Sequence, residues 1–271
     1  MKRNRHAGVS LLNALAVIAV GASLVQVMLR DQELAVQALE DTNNAAQAHA
    51  LTRGAVTSVA VALRRDAQEN PDADNLKEPW AAAAQDWIAL DFGQFEVSIT
   101  DARGKFDLNA LQPTALAESR LFTSLLGALE LPSVLTQRIT QIVSQHGPLV
   151  DPTALVDHGI AMPDVERLLP HVTATQTPGQ LNLNSVSAPL MMALTRNPSA
   201  ARVLISRRAA QGFLTPADFS ALGLLQPQLS GYTSDVFDVR ALASVGDARA
   251  VLAQRLVRDA DTGVIRRLPL P

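Results

Sequence analysis

The side chains able to do chemistry are few and scattered. Five histidines (His6, His49, His146, His158 and His171) stand far apart, cysteine is absent, and neither an HExxH nor a GxSxG spacing occurs. Hydrolysis through a nucleophile and base, or through a metal-bound water, needs such groups to converge, so the sequence points away from an enzyme. Hard cations ask for several oxygens at once. Asp101 and Asp107 around one turn, with Asp235 and Asp238 before the final strands, are weak calcium candidates, although turns and caps explain the same carboxylates and no EF-hand spacing is present. The remaining pattern is one of charge: Lys2, Arg3 and Arg5 precede Gly8, which opens directly onto an apolar run carrying the amide Asn13.

That run must position everything after it. Val9 to Leu29 is free of formal charge over 21 residues, about 31 Å of helix and enough to cross a hydrocarbon core. Basic residues before it and Arg30, Asp31 and Glu33 after it put the N-terminus in the cytoplasm and the bulk of the chain outside. Val20-Gly21-Ala22 offers the competing reading of a secretory cleavage site. Against it, no proline interrupts Leu34 to Arg65, and Leu34, Ala38, Ala45, Ala48, Val56, Val59 and Leu63 recur on one helical face. The pattern predicts one helix over 9–65, spanning the membrane over 9–29 and amphipathic beyond.

Residues 66–79 combine two prolines with acidic and amide side chains and read as a solvated loop. Trp80 and Trp87 are expected on one face of a short alanine-rich helix. Phe95, Val97 and Ile99 alternate as a strand, which is expected to turn at Asp101-Ala102-Arg103-Gly104 and return through Phe106 and Leu108 as a hairpin. A weak internal repeat follows: FDLNAL (106–111) echoes LNLNSV (181–186), and the segment from Pro132 echoes that from Pro198, with glycines at 147 and 212 and prolines at 152 and 216. After Leu229 the pattern returns to strands. Sheet before and after a helical stretch predicts an α+β head over 66–110 and 230–271 with a helical domain inserted over 111–229. The chain carries a formal net charge of −3, and the part beyond the basic leader is more acidic still, which repels phosphate.

A short basic leader over residues 1–8, a glycine, and an unbroken apolar-to-amphipathic helix resemble a type IV pilin or type II secretion pseudopilin. NLKEPWA, DARGKFDLN, LNLNSVSAPLMMAL, RRAAQGFLTPADF and SDVFDVRALASVG, in that order, are similar to the K-type minor pseudopilins (GspK family) over nearly the whole chain. The resemblance implies a pilin-like fold: a long N-terminal helix packed on an antiparallel sheet, with an inserted helical domain of two SAM-like or helix-hairpin-helix-like units. It implies cleavage by prepilin peptidase between Gly8 and Val9, with Val9 open to N-methylation. Most members carry glutamate where this chain has Asn13, the fifth residue after that bond. An amide cannot neutralise a neighbour's terminal ammonium, which suits a subunit with none above it; ordinary polar contact between membrane helices is the competing account, and the other motifs favour the tip reading.

The family implies a single-pass inner-membrane protein with a periplasmic head, in a tip complex with I- and J-type minor pseudopilins. Its further partners would be the major pseudopilin and the inner-membrane secretion platform. No cofactor is required, and calcium occurs in some relatives. The rival reading is a membrane-anchored helix-hairpin-helix DNA-uptake protein. The corresponding turns, ELPSV and RNPSA, lack the glycine-rich donor nest, and Asp218 dilutes the basic set Arg202, Arg207 and Arg208, so no nucleic-acid partner is expected.

Overall fold

The computed structural model describes residues 6–259 and 262–270, with side chains from Leu11 onward; the leader charges Lys2, Arg3 and Arg5 lie outside it. Helix α1 runs from His6 to Glu69, 64 residues or about 96 Å. Its second half is held by packing: Val56, Val59, Ala60 and Leu63 are buried against Val97, Phe237, Val239, Ala241 and Leu256, and Ala48 against Ala243, Val245 and Ala250. Leu34 and Ala38, on the same stripe, are exposed, as are the large apolar side chains from Leu11 to Leu39. The first half of α1 therefore projects free of the head.

The face that α1 covers is a five-stranded antiparallel sheet of β1 (Gln85–Leu90), β2 (Gly93–Asp101), β7 (Val236–Val245), β8 (Ala248–Arg258) and β9 (Ile265–Pro269), in that order. Strand β7 is legible in the sequence through an imperfect alternation in which Val239, Ala241 and Ala243 are buried, whereas β8 is marked only as a run before the Asp-Thr-Gly turn. Strand β1 is not legible, because nearly all of it is exposed. The predicted helix between the tryptophans is a single 3-10 turn, Ala81–Ala83. Trp80 is fully buried edge-on to Phe237, whereas Trp87 stands exposed on β1.

The hairpin expected at Asp101–Gly104 is also corrected. It is β1 and β2 that pair around Asp91-Phe92. After Asp101 a 3-10 turn, Ala102–Gly104, lifts the chain out of the sheet, and β3 (Phe106–Asp107) pairs in parallel with β4 (Val172–Thr173) instead. Gly104 is needed at this exit, since a Cβ there would sit 2.8 Å from Ser185 O.

Between β2 and β7 the chain forms α2 (Leu116–Ala128), α3 (Val134–His146), α4 (Met162–Leu168), α5 (Ala188–Thr195), α6 (Pro198–Gln211) and α7 (Pro216–Ser220). Two short strands complete the block, β5 (Leu181–Asn182) pairing in parallel with β6 (Ser230–Gly231). Its own core includes Phe106, Phe122, Leu126, Ile139, Leu190 and Phe219.

The repeat reappears atom for atom. Asn109 Oδ1 accepts from Leu149 N at 2.7 Å, just past the Gly147 that ends α3, and Asn184 Oδ1 accepts from Leu214 N at 2.7 Å, just past the Gly212 that ends α6. Asn109 N donates to Asp107 Oδ1 and Asn184 N to Asn182 Oδ1, so the echoed Asp-x-Asn and Asn-x-Asn make the same turn twice. Both glycines have positive φ, 86° and 102°, the conformation that ends a helix without a Cβ penalty.

Candidate functional site

Gly8 and Val9 lie on the first turns of α1. Asn13 is exposed among exposed Leu11, Leu12, Leu15 and Val17, within the part of α1 long and apolar enough to cross a membrane. Among the described residues every side chain from 11 to 40 is exposed, so this surface is available to lipid and to other helices.

Where α1 meets the edge of the sheet an apolar groove of about 780 Å³ opens, lined by Ala50, Leu51, Gly54 and Ser58 from the helix and by Phe92 and Phe95 from the sheet. Ala50, Gly54 and Ser58 are spaced four apart and share one helical face. A Cβ built on Gly54 meets nothing within 4 Å. Internal packing therefore does not call for glycine there, while a backbone approaching from outside would find room.

The four calcium candidates stand in separate protein networks. Asp101 is buried, accepting from Arg103 N through Oδ1 and from Asn182 Nδ2 (2.9 Å) and Ser234 Oγ (2.6 Å) through Oδ2. Burial pushes its pKa up, against the pull of these donors. Asp107 accepts from Asn109 N, Thr175 N and Thr175 Oγ1, and burial raises it too. Asp235 pairs with Arg103 and Asp238 with Arg255, each through both carboxylate oxygens. Together they fasten the helical block to the sheet: Arg103 also donates to Thr177 O and Pro178 O, and Arg255 to Ala174 O and Thr173 Oγ1.

Sequence reasoning missed a denser cluster. The solvated loop expected over 66–79 is corrected: its first residues continue α1 to Glu69, where Asp66 is buried, and the connection beyond turns inward and buries Asp74 and Asn75. Carboxylate oxygens of Asp66, Asp74 and Glu78 lie within 4.8 Å of one another, the acidic grouping found among the described residues. Arg258, at the end of β8, places Nη2 at 2.6 Å from both oxygens of Asp74 and Nη1 at 3.4 Å from Asp66 Oδ2. Its guanidinium supplies the positive charge paired with Asp66 and Asp74, so the carboxylates and Arg258 form one ion network. The only signal in the sequence was an acidic loop, and its partner lies 184 residues away from Asp74.

The histidines do not converge on a reaction centre. His49 is exposed on α1, the rings of His146 and His158 stack at 4.4 Å, and His171 Nδ1 meets Ser187 Oγ at 2.8 Å. Of the arginines that might have formed a basic face, Arg207 pairs with Asp218, Arg208 donates to Leu183 O and Arg202 to Pro198 O.

A long helix, free and apolar at its start and packed on an antiparallel sheet at its end, is a fold with a solved counterpart. The crystal structure of the GspK-GspI-GspJ complex from enterotoxigenic Escherichia coli contains a chain of this fold, with a TM-score of 0.60 at 19% identity over 89% of this chain and 97% of that one. In sequence the chain is similar to protein K of the type II secretion system. The family model for protein K of that system matches residues 181–240, from β5 into β7. The type II secretion system protein K of Pseudomonas aeruginosa is 27% identical over 98% of this chain and 92% of its own length, and that of Klebsiella pneumoniae 27% identical over 82% and 81%.

Proposed function

We propose that the chain is a minor pseudopilin at the tip of the type II secretion pseudopilus, where it joins I- and J-type subunits and helps start assembly for export of folded periplasmic proteins. The unfilled groove beside Gly54 carries this reading. It offers a partner helix an apolar bed of small residues next to Phe92 and Phe95, on the part of α1 that continues from the membrane-length segment. The relative of the same fold was solved in complex with GspI and GspJ. Lys2, Arg3 and Arg5 hold the N-terminus in the cytoplasm, where prepilin peptidase cuts after Gly8 and leaves Val9 for methylation, and the head lies in the periplasm. The major pseudopilin and the inner-membrane platform are its remaining partners.

The test is co-purification of the full chain with I- and J-type subunits from membranes in mild detergent. Gly54→Trp, which fills the groove, should lose the complex by tenfold or more, about 1.4 kcal/mol or greater, while Leu225→Asp on a fully exposed loop should retain it. Capture that is equal in both variants, or a shift of duplex DNA by the wild type in place of subunit capture, would overturn the reading. Asn13→Glu is expected to enter the membrane normally and to disturb pseudopilus number or length, counted by microscopy, because the new carboxylate invites an ammonium above it.

A further inference from the structure

We propose that Asp66, Asp74, Glu78 and Arg258 form a proton-held latch: a proton on Asp66 fastens the end of α1 and the 70–80 connection to β8, and its loss loosens that connection. This inference stands on the cluster alone and is independent of the secretion reading. Three carboxyl groups face one guanidinium, so with all three ionised the buried cluster would carry two uncompensated negative charges.

The hydrogen bonds say which group takes the proton. Asp74 receives Arg258 Nη2 on both oxygens and Ser234 N at 2.7 Å. Glu78 receives Asn75 N, Asn75 Nδ2 and Trp80 Nε1 at 2.7–2.9 Å. Asp66 has the 3.4 Å contact with Arg258 on Oδ2, a side-chain hydrogen bond with Asn70 that favours its charged form, and a buried Oδ1 with no partner. An unpartnered anionic oxygen in that position is costly, whereas a hydroxyl there can donate to a neighbouring carboxylate. The charged groups facing it are Glu78 and Asp74 from the connection and Arg258 from β8, while β7 presents Phe237, 5.4 Å beneath the guanidinium.

Burial first, and then Glu78 and Asp74, push Asp66 up to about 7. Its folded value exceeds the unfolded one, so the native state holds the extra proton. The stability this gives is complete below the unfolded carboxyl range, declines as pH rises, and is gone once pH has passed about 7. The latch thus works near neutrality. It reaches the helical block as well, because Asp74 O accepts from Asn182 Nδ2 and Asp74 N donates to Tyr232 O.

Trp80 reports on it directly, being fully buried with its indole N–H on Glu78. In the full chain in detergent, with Trp87→Phe leaving Trp80 as the one emitter, raising pH from about 6 to about 8 should shift emission to the red with a midpoint near 7. Asp66→Asn should abolish the transition and keep the blue emission throughout. Glu78→Gln, which removes one neighbouring charge, should move the midpoint down and serves if Asp66→Asn fails to fold. A flat wild-type profile, a transition surviving in Asp66→Asn, or a midpoint that Glu78→Gln leaves unmoved or raises would overturn the latch. So would abolition of the wild-type transition by a chelator, since a divalent ion would then hold the cluster.

Discussion

Replacing Arg258 with methionine should remove about 3–5 kcal/mol of stability, the range expected when one partner of a buried ionic network is deleted. Arg258 is 8% exposed, donates to Asp74, Ser234 O and Leu63 O, and lies over the Phe237 ring. Methionine matches much of its stem but leaves Asp66, Asp74 and Glu78 with no counter-charge. The urea midpoint of the detergent-solubilised chain should fall accordingly. Adding Asp74→Asn to Arg258→Met should recover part of the loss, because one buried charge goes with it. Equal midpoints for wild type and Arg258→Met would mean that the network contributes nothing to holding α1 on the sheet.

Gly8→Phe should leave the precursor uncut, an all-or-none change in size and N-terminal sequence. Under the proposed cleavage, glycine at position 8, which lies in the first turns of α1, would let backbone enter a narrow protease cleft that a benzyl group beside the scissile bond would block. Membrane fractions from cells carrying prepilin peptidase should show full-length chain for the variant and chain beginning at Val9 for the wild type. Mature protein beginning at Ser23 would identify a secretory signal instead, and unimpaired processing of Gly8→Phe would remove Gly8 from the cleavage site.

Features governed by local periodicity were legible in the sequence. The stripe from Ala48 to Leu63 marked the packed half of α1, and an imperfect alternation marked β7. The repeat gave Asn109 and Asn184 their matching positions, though not their bonds to Leu149 and Leu214. What escaped depends on pairing across long separations. Exposed β1 offers no alternation to read, and β3 is too short to announce that it leaves the sheet for β4. Asp66, Asp74 and Glu78 look like solvent-facing residues until β8 brings Arg258 among them. The groove was equally silent, since Gly54 in a helix has the same appearance whether or not something lies against it.

Asp101 and Phe237 are direct partners across the β2–β7 ladder, so the helical block leaves and re-enters the sheet about 5 Å apart. Val56, Val59 and Leu63 carry α1 onto the sheet, and the block, whose two covalent ends sit side by side, is held against it by Arg103, Arg255 and the Asp74 connection. Because the two ends are adjacent, a change in the length of the block leaves the register of β2 with β7 unaltered.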